Sequence, residues 1–128
     1  MNIFIWIIIV GAIAAFLLLQ RLGRVTPATA QEWLNKGALV IDVRNPEEFQ
    51  ERSLPGVINI PLGQLGEEIG RHAPDKAQPL LLHCRSGNRS GMGTSTLKKM
   101  GYQHVFNLGS YGQAEAILRG RPEPGKHN

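Results

Sequence analysis

The single cysteine of this chain, Cys84, ends the apolar run Leu80-Leu81-Leu82-His83 and opens the stretch Arg85-Ser86-Gly87-Asn88-Arg89-Ser90. A loop between a buried strand and the start of a helix leaves backbone N–H groups unpaired and pointing outward, which makes an anion cradle. A thiolate at its base is stabilised by those N–H groups, by the positive helix terminus, and by Arg85 and Arg89, so its pKa falls and its reactivity at neutral pH rises. Taken alone, a cysteine after an apolar strand is a small buried hydrophobe. Two arginines, a glycine and a helix start within six residues turn the reading towards a reactive thiol. With one cysteine, an intramolecular disulfide and any multi-cysteine zinc or iron–sulfur site within the chain are excluded, and neither metal nor cofactor is expected.

The elements around this loop follow from pattern. Thr26-Pro27 reads as an N-cap and first helical position, with Gly37 as the stop. Ala38 to Val43 is an apolar β-rich run without alternation, as in a strand covered on both faces. Asn45-Pro46 opens a short helix through Phe49. Val57 to Ile60 gives a second strand, and Leu62 to Ile69 a helix. Leu80 to Leu82 is the most apolar strand and leads directly into Cys84. A helix from about Ser90 ends at Lys98-Lys99-Met100-Gly101, cations in its last turn and glycine beyond. Gly91 and Gly93 weaken that helix by about 1 kcal/mol each relative to alanine, and serve close packing or are tolerated. A strand from His104 to Leu108 and a helix from about Gly112 to Leu118 complete the set. Strands and helices alternating at this spacing indicate an α/β fold with a mainly parallel sheet, which places ligands beyond the carboxyl ends of its strands, where Cys84 falls.

Ile3 to Leu19 contains seventeen consecutive residues with no charged or polar side chain, at the short end of what spans a hydrocarbon core. A cleaved signal peptide would use Ala12-Ile13-Ala14 or Ala28-Thr29-Ala30, but Met1-Asn2 supplies no basic n-region and the apolar stretch is long. A soluble core helix would have a polar face, which this run lacks. Arg21 and Arg24 follow the run and nothing basic precedes it, so the positive-inside bias places the rest of the chain in the cytoplasm on a single-pass anchor in the inner membrane; the alternative is an exported, periplasmic protein. The expected organisation is a transmembrane helix or signal anchor at 1–20, a juxtamembrane linker at 21–24, one domain at 25–118 and a polar disordered tail at 119–128.

The formal charge of +4 over 128 residues does not point to nucleic acid. Between Val25 and Leu118 there are nine Lys/Arg and nine Asp/Glu, so no basic face is left for a phosphate backbone. His72, His83, His104 and His127 lack metal-ligand spacing, and His83 would point to the opposite side of the strand from Cys84, so it reads as a satisfied structural histidine. Gly87 to Thr94 lacks the Gly-Lys-Ser/Thr ending of a nucleotide loop. Asn88-Arg89-Ser90 matches a glycosylation sequon by coincidence, inside the reactive loop.

Four stretches in order, LVIDVRNPEEF at Leu39 to Phe49, LPGVINIP at Leu54 to Pro61, HCRSGNRS at His83 to Ser90 and LKKMGYQHVFNL at Leu97 to Leu108, resemble the rhodanese-like domain family of sulfurtransferases. The resemblance implies that Cys84 is the nucleophile that takes sulfane sulfur from thiosulfate or a similar donor as a persulfide and passes it to cyanide or a thiol acceptor, a protein thiol included. It implies that Arg85 and Arg89 hold the anionic donor, that backbone N–H groups of Ser86, Gly87, Asn88, Arg89 and Ser90 surround the outer sulfur, and that Gly87 permits the tight loop. Asp42, Arg44 and Glu48 then brace the first strand and its following loop, with a direct part in donor binding open for Arg44. Cysteine-dependent phosphatases space their cysteine and arginine one position further apart than Cys84 and Arg89, since a tetrahedral phosphate needs a wider cradle; the shorter loop favours sulfur. The chain departs from the family at Ser53, commonly histidine, and at Gly109-Ser110 and Ala114, where a Gly-Gly pair and a tryptophan are expected, so the substrate mouth is altered. The rival from another class is a membrane-tethered module that carries a persulfide or binds a partner without useful turnover.

Overall fold

The computed structural model describes residues 2–120. Their elements, in chain order, are α1 (Ile3–Leu22), α2 (Pro27–Asn35), β1 (Leu39–Asp42), α3 (Pro46–Glu51), β2 (Ile58–Asn59), a 3-10 turn (Leu62–Gln64), α4 (Leu65–His72), β3 (Leu80–His83), α5 (Asn88–Lys99), β4 (Val105–Gly109) and α6 (Tyr111–Arg119). The four strands form one parallel sheet in the order β2-β1-β3-β4. From β1 the chain goes to β2 on one side, and from β2 it crosses back to β3 on the other. The strand order therefore reverses between β1 and β3, and a crevice opens beyond their carboxyl ends. Asp42 and His83 end these two strands in register.

Strand alternation divides the core in two. Ile41, Val43, Leu80, Leu82 and Cys84 point to one face, with Leu65, Ile69 and Leu97 of α4 and α5. Val40, Leu81 and Leu108 point to the other, with Ala30 and Leu34 of α2 and Ala114 and Ile117 of α6. The runs ALVIDV and LLL lack alternation because both faces are covered. Gly93 brings α5 onto the sheet: a Cβ there would lie 2.9 Å from Leu82 and 3.0 Å from Leu65, so of the two helical glycines this one serves close packing.

Thr26 caps α2, its Oγ1 accepting from Thr29 N at 3.3 Å. The expected helix at Leu62 to Ile69 is instead a 3-10 turn followed by α4. The helix after Cys84 begins at Asn88 rather than Ser90, because Gly87 at φ +97° turns the chain directly into it. The last helix begins one residue early, at Tyr111, with Ser110 as its cap. It runs through Arg119 to Gly120, and residues 121–128 of the expected tail lie outside the described residues.

Among the described residues no helix is long and apolar enough to cross a membrane, so the transmembrane helix expected at 1–20 is not supported by the fold. The apolar run of α1, Ile3 to Leu19, measures about 25 Å at about 1.5 Å per residue, against about 30 Å of hydrocarbon. Thirteen large apolar side chains of α1 are nevertheless exposed, from Ile3 at 68% to Leu19 at 67%. Among the described residues, no side chain of α1 joins either half of the core.

Candidate active site

β3 delivers Cys84 to the crevice, and the turn at Gly87 folds the chain back over it. Gly87 N donates to Cys84 Sγ at 3.0 Å and Ser90 N at 3.4 Å, with Ser90 Oγ also at 3.4 Å. Cys84 is 0% exposed. Burial pushes its thiol up, but the Ser90 hydroxyl and the N–H groups of Ser90, Gly87 and Ser86 outweigh burial and hold it below its ordinary value. Ser90 has one hydroxyl proton and four acceptors in reach, of which Asn107 Oδ1 at 2.7 Å is nearest. The backbone N–H groups are thus the constant donors to sulfur, and the hydroxyl a donor that can switch.

Asn107 fixes this arrangement. Its Oδ1 accepts from Gly109 N at 2.9 Å, which leaves Nδ2 to donate to Gly87 O at 3.1 Å. The site reading from sequence missed it, although a polar residue inside the apolar run of β4 signals a buried group that needs partners.

Asp42 and Arg44 form a buried pair at 2.7 Å, with Arg44 N and Nε also donating to the carboxylate. Arg44 Nη2 donates to Arg52 O at 2.6 Å, and Asn59 Nδ2 donates to the carbonyls of Asp42 and Arg44 at 3.0 Å. These bonds tie the chain after β1 to β2 and to the end of α3. Glu48 is not part of that pair. Its carboxylate reaches across the crevice to Arg89, at 2.7 and 3.1 Å, and accepts from Asn45 N. The Arg89 guanidinium holds the Glu48 carboxyl down to about 2, and Arg89 is raised in return. Arg89 is therefore a positioned cation with its carboxylate already beside it.

Arg85 is exposed, and its carbonyl accepts from Tyr111 N at 3.2 Å. It lines a cavity of about 370 Å³ together with Arg44, Glu48, Arg52 and Tyr111. Arg44 and Arg52 both lie over the Tyr111 ring, at 4.8 and 4.4 Å from its centroid. Arg52 and Tyr111 were not singled out from sequence, since nothing in their local spacing relates them to Cys84. Ser86, exposed, bridges to Ser110 in antiparallel fashion, and Asn88 is exposed on the first turn of α5.

His83 is fully buried on the face opposite Cys84, edge-on to Tyr111. Burial keeps its imidazole below its ordinary pKa, despite Asp42 at 3.8 Å. Its Nδ1 lies 3.3 Å from Cys84 O, but Nε2 has no hydrogen-bond partner. The expectation of a satisfied histidine therefore holds for only one of its nitrogens. Among the described residues no three His, Cys, Asp or Glu side chains group as metal ligands.

Comparisons with known proteins place this geometry. The thiosulfate sulfurtransferase PspE of Escherichia coli K12 is 44% identical over 69 residues, which are 54% of this chain and 66% of that protein, just under two thirds of its length. The thiosulfate sulfurtransferase GlpE of Ectopseudomonas mendocina is 33% identical over 85 residues, 66% of this chain and 76% of the relative. A solved rhodanese with anions, from E. coli, superposes with a TM-score of 0.58 at 39% identity, covering 60% of this chain and 91% of that one. The family model for the rhodanese-like domain matches residues 26–113, with the cysteine loop inside the match. The chain belongs to the rhodanese-like domain family.

Proposed function

We propose that this chain is a sulfurtransferase that carries sulfane sulfur on Cys84 as a persulfide, from thiosulfate or a similar donor to a thiophilic acceptor. The observation that carries the reading is the pair of backbone N–H groups, Gly87 and Ser90, aimed at Cys84 Sγ inside a loop whose arginine stands five positions on. That cradle suits one sulfur anion. The Cys84 thiolate attacks the outer sulfur of thiosulfate, a sulfur–sulfur bond forms as the donor's own breaks, and sulfite leaves with the electron pair. Cyanide or an acceptor thiolate then takes the outer sulfur as thiocyanate or a persulfide, and the Cys84 thiolate is regenerated.

Arg85 and Arg89 attract the dianionic donor, and the N–H groups from Ser86 to Ser90 receive the charge of the persulfide. The cavity at Arg85, Arg52 and Tyr111 is the donor's approach. Two named relatives are thiosulfate sulfurtransferases, which makes thiosulfate the first donor to try.

Intact mass of the protein after incubation with thiosulfate tests this. A gain of one sulfur atom, reversed by reductant and absent in Cys84→Ser, is the expected result; no adduct with any sulfane donor would sink the reading. The 0% exposure of Cys84 favours a second reading, a module that holds a persulfide for a partner protein without useful turnover on small donors. Thiosulfate:cyanide turnover that vanishes in Cys84→Ser decides for the enzyme, and a stable persulfide without turnover decides for the carrier. Hydrolysis of aryl phosphates is expected to be nil.

For its location, the same proposal takes α1, although its apolar run is shorter than the hydrocarbon core, as a single-pass anchor in the inner membrane, with the domain on the cytoplasmic side. Its support is the exposed apolar surface of α1, which water tolerates poorly, and Arg21 and Arg24 on one side only. A run about 5 Å short of the hydrocarbon thickness is accommodated by local thinning at fractions of a kcal/mol per Å. Release of the full chain from membranes by alkaline carbonate, or an extracytoplasmic signal from a reporter fused at the C-terminus, would overturn the placement.

A further inference from the structure

Between α1 and α2 the chain is pinned beside the cysteine loop. Val25 N donates to Asn107 O at 2.9 Å, and half-buried Arg24 reaches over the outside of the loop. Arg24 Nη2 donates to Ser86 O at 2.9 Å, and Nη1 donates to Gln113 Oε1 at 3.0 Å. Gln113 is itself held, since Oε1 also accepts from Ser110 N and its own N–H donates to Ser110 Oγ in the cap of α6. The guanidinium packs close on the turn: a Cβ at Gly87 would lie 2.8 Å from Nη2. Arg24 precedes residues 26–113, the segment that matches the family.

The carbonyl of Ser86 and the N–H of Gly87 are two ends of one peptide group. Its N–H end makes the shortest hydrogen bond to Cys84 Sγ, at 3.0 Å, while its C=O end accepts from Arg24. A cation on the oxygen draws electron density through the amide and leaves its N–H a stronger donor, as in any polarised chain of hydrogen bonds. We infer that Arg24 is a positioning residue for Cys84: acting through the Ser86–Gly87 peptide, it strengthens the N–H that holds the sulfur anion and ties the reactive loop to the segment leaving α1. The inference rests on Cys84 being the reactive thiol proposed above.

The charged and titratable groups on the elements around Cys84 are His83 beside it on β3, Asp42 and Arg44 at the end of β1, Glu48 on α3, Arg85 in the loop, Arg89 on α5 and Tyr111 at the start of α6. Replacing Arg24 leaves all of them in place. The test is the rate of iodoacetamide alkylation of Cys84 against pH, in the full chain in detergent, for the native protein, Arg24→Gln and Arg24→Lys. Arg24→Gln is expected to move the midpoint to higher pH, so that the rate at pH 7 falls about two- to fivefold while the high-pH plateau is unchanged. Arg24→Lys, which keeps the charge without the fork, falls between the two. A loss of mere packing would lower thermal stability or the plateau without moving the midpoint, and would overturn the inference. So would an Arg24→Gln midpoint that coincides with a depressed native one, which leaves the reactive thiol standing. A native midpoint at the ordinary thiol value would remove both.

Discussion

The floor and the mouth of this site are built from different materials. The floor consists of Cys84 and the groups that touch its sulfur: Gly87 N, Ser90 N and Ser90 Oγ, all buried. These are neutral dipoles, two of them fixed by backbone and the third a hydroxyl that can switch, and Asn107 locks the loop that carries them. The mouth consists of Arg44, Glu48, Arg52, Arg85 and Tyr111 around open space, side chains from three separate parts of the chain. Fixed dipoles in a buried place stabilise an anion without reorganisation. Charges at an exposed rim steer and select instead, and salt screens them. On the proposed function, the floor sets whether sulfur is carried, and the mouth sets what brings it.

The wall between the two is the strongest place to break that division. Asp42 is 0% and Arg44 6% exposed, and they pair at 2.7 Å. Asp42→Ala leaves a guanidinium buried without its partner, a loss of about 3–5 kcal/mol. Urea unfolding is expected to show that loss, with floor and mouth failing together. A variant as stable as the native protein would mean that Arg44 finds solvent or another partner, and that the wall is not what holds the two regions in register.

Ser90→Ala acts on the floor alone. A hydrogen bond to a charged group contributes about 1.5–3 kcal/mol, and this one, at 3.4 Å and shared with Asn107 at 2.7 Å, belongs at the lower end. The alkylation rate of Cys84 at pH 7 is expected to fall about tenfold, through a midpoint moved to higher pH. The Michaelis constant for thiosulfate should hardly move. A change in that constant with an unmoved midpoint would reverse the roles assigned to Ser90 and the rim.

The same division explains what could be read from the sequence. The floor is local: an apolar strand, a cysteine, a glycine and a helix start within a few residues fix where the N–H groups point, and the cradle follows from spacing. The parallel sheet was legible for a similar reason, since runs such as ALVIDV carry their two-sided burial in composition. The mouth is not local. Arg52 and Tyr111 meet Arg44 only because the parallel sheet brings the ends of β1 and β4 to the same edge, one on each side of β3. Glu48 was grouped with Asp42 and Arg44, through the family resemblance, as a brace of the first strand and its following loop. One turn into α3, its carboxylate instead faces α5 across the crevice. Arg24 was read as a flanking charge of the apolar segment, and its bond to Ser86 depends on where a linker happens to settle.

Glu48→Gln sharpens the comparison from the mouth side. The Glu48–Arg89 pair is 27% and 32% exposed, so its loss costs about 1 kcal/mol or less. The carboxyl is depressed from 4.5 to about 2 by Arg89. A carboxylate depressed on folding stabilises the fold above its unfolded pKa, and that contribution is lost as pH falls from about 4.5 through about 2. Native protein and Glu48→Gln should therefore differ in stability at pH 6 and converge at pH 2. With its carboxylate gone, Arg89 is free for the anionic donor, and thiosulfate affinity is expected to rise. A fall in affinity would show that Glu48 aims Arg89 at the donor rather than competing with it.

Arg85→Gln has the smallest expected effect and isolates the rim most cleanly. Arg85 is exposed, so neither stability nor the alkylation profile of Cys84 should change, and uncharged persulfide donors should load the protein as before. Loading by thiosulfate should slow about twofold to threefold at low salt, since exposed ionic contacts contribute less than about 1 kcal/mol. The deficit should disappear at high ionic strength, where the native rim is screened as well. If the deficit persisted there, or if it extended to uncharged donors, Arg85 would be shaping the cradle itself, and the separation of a dipolar floor from a charged mouth would not survive at this residue.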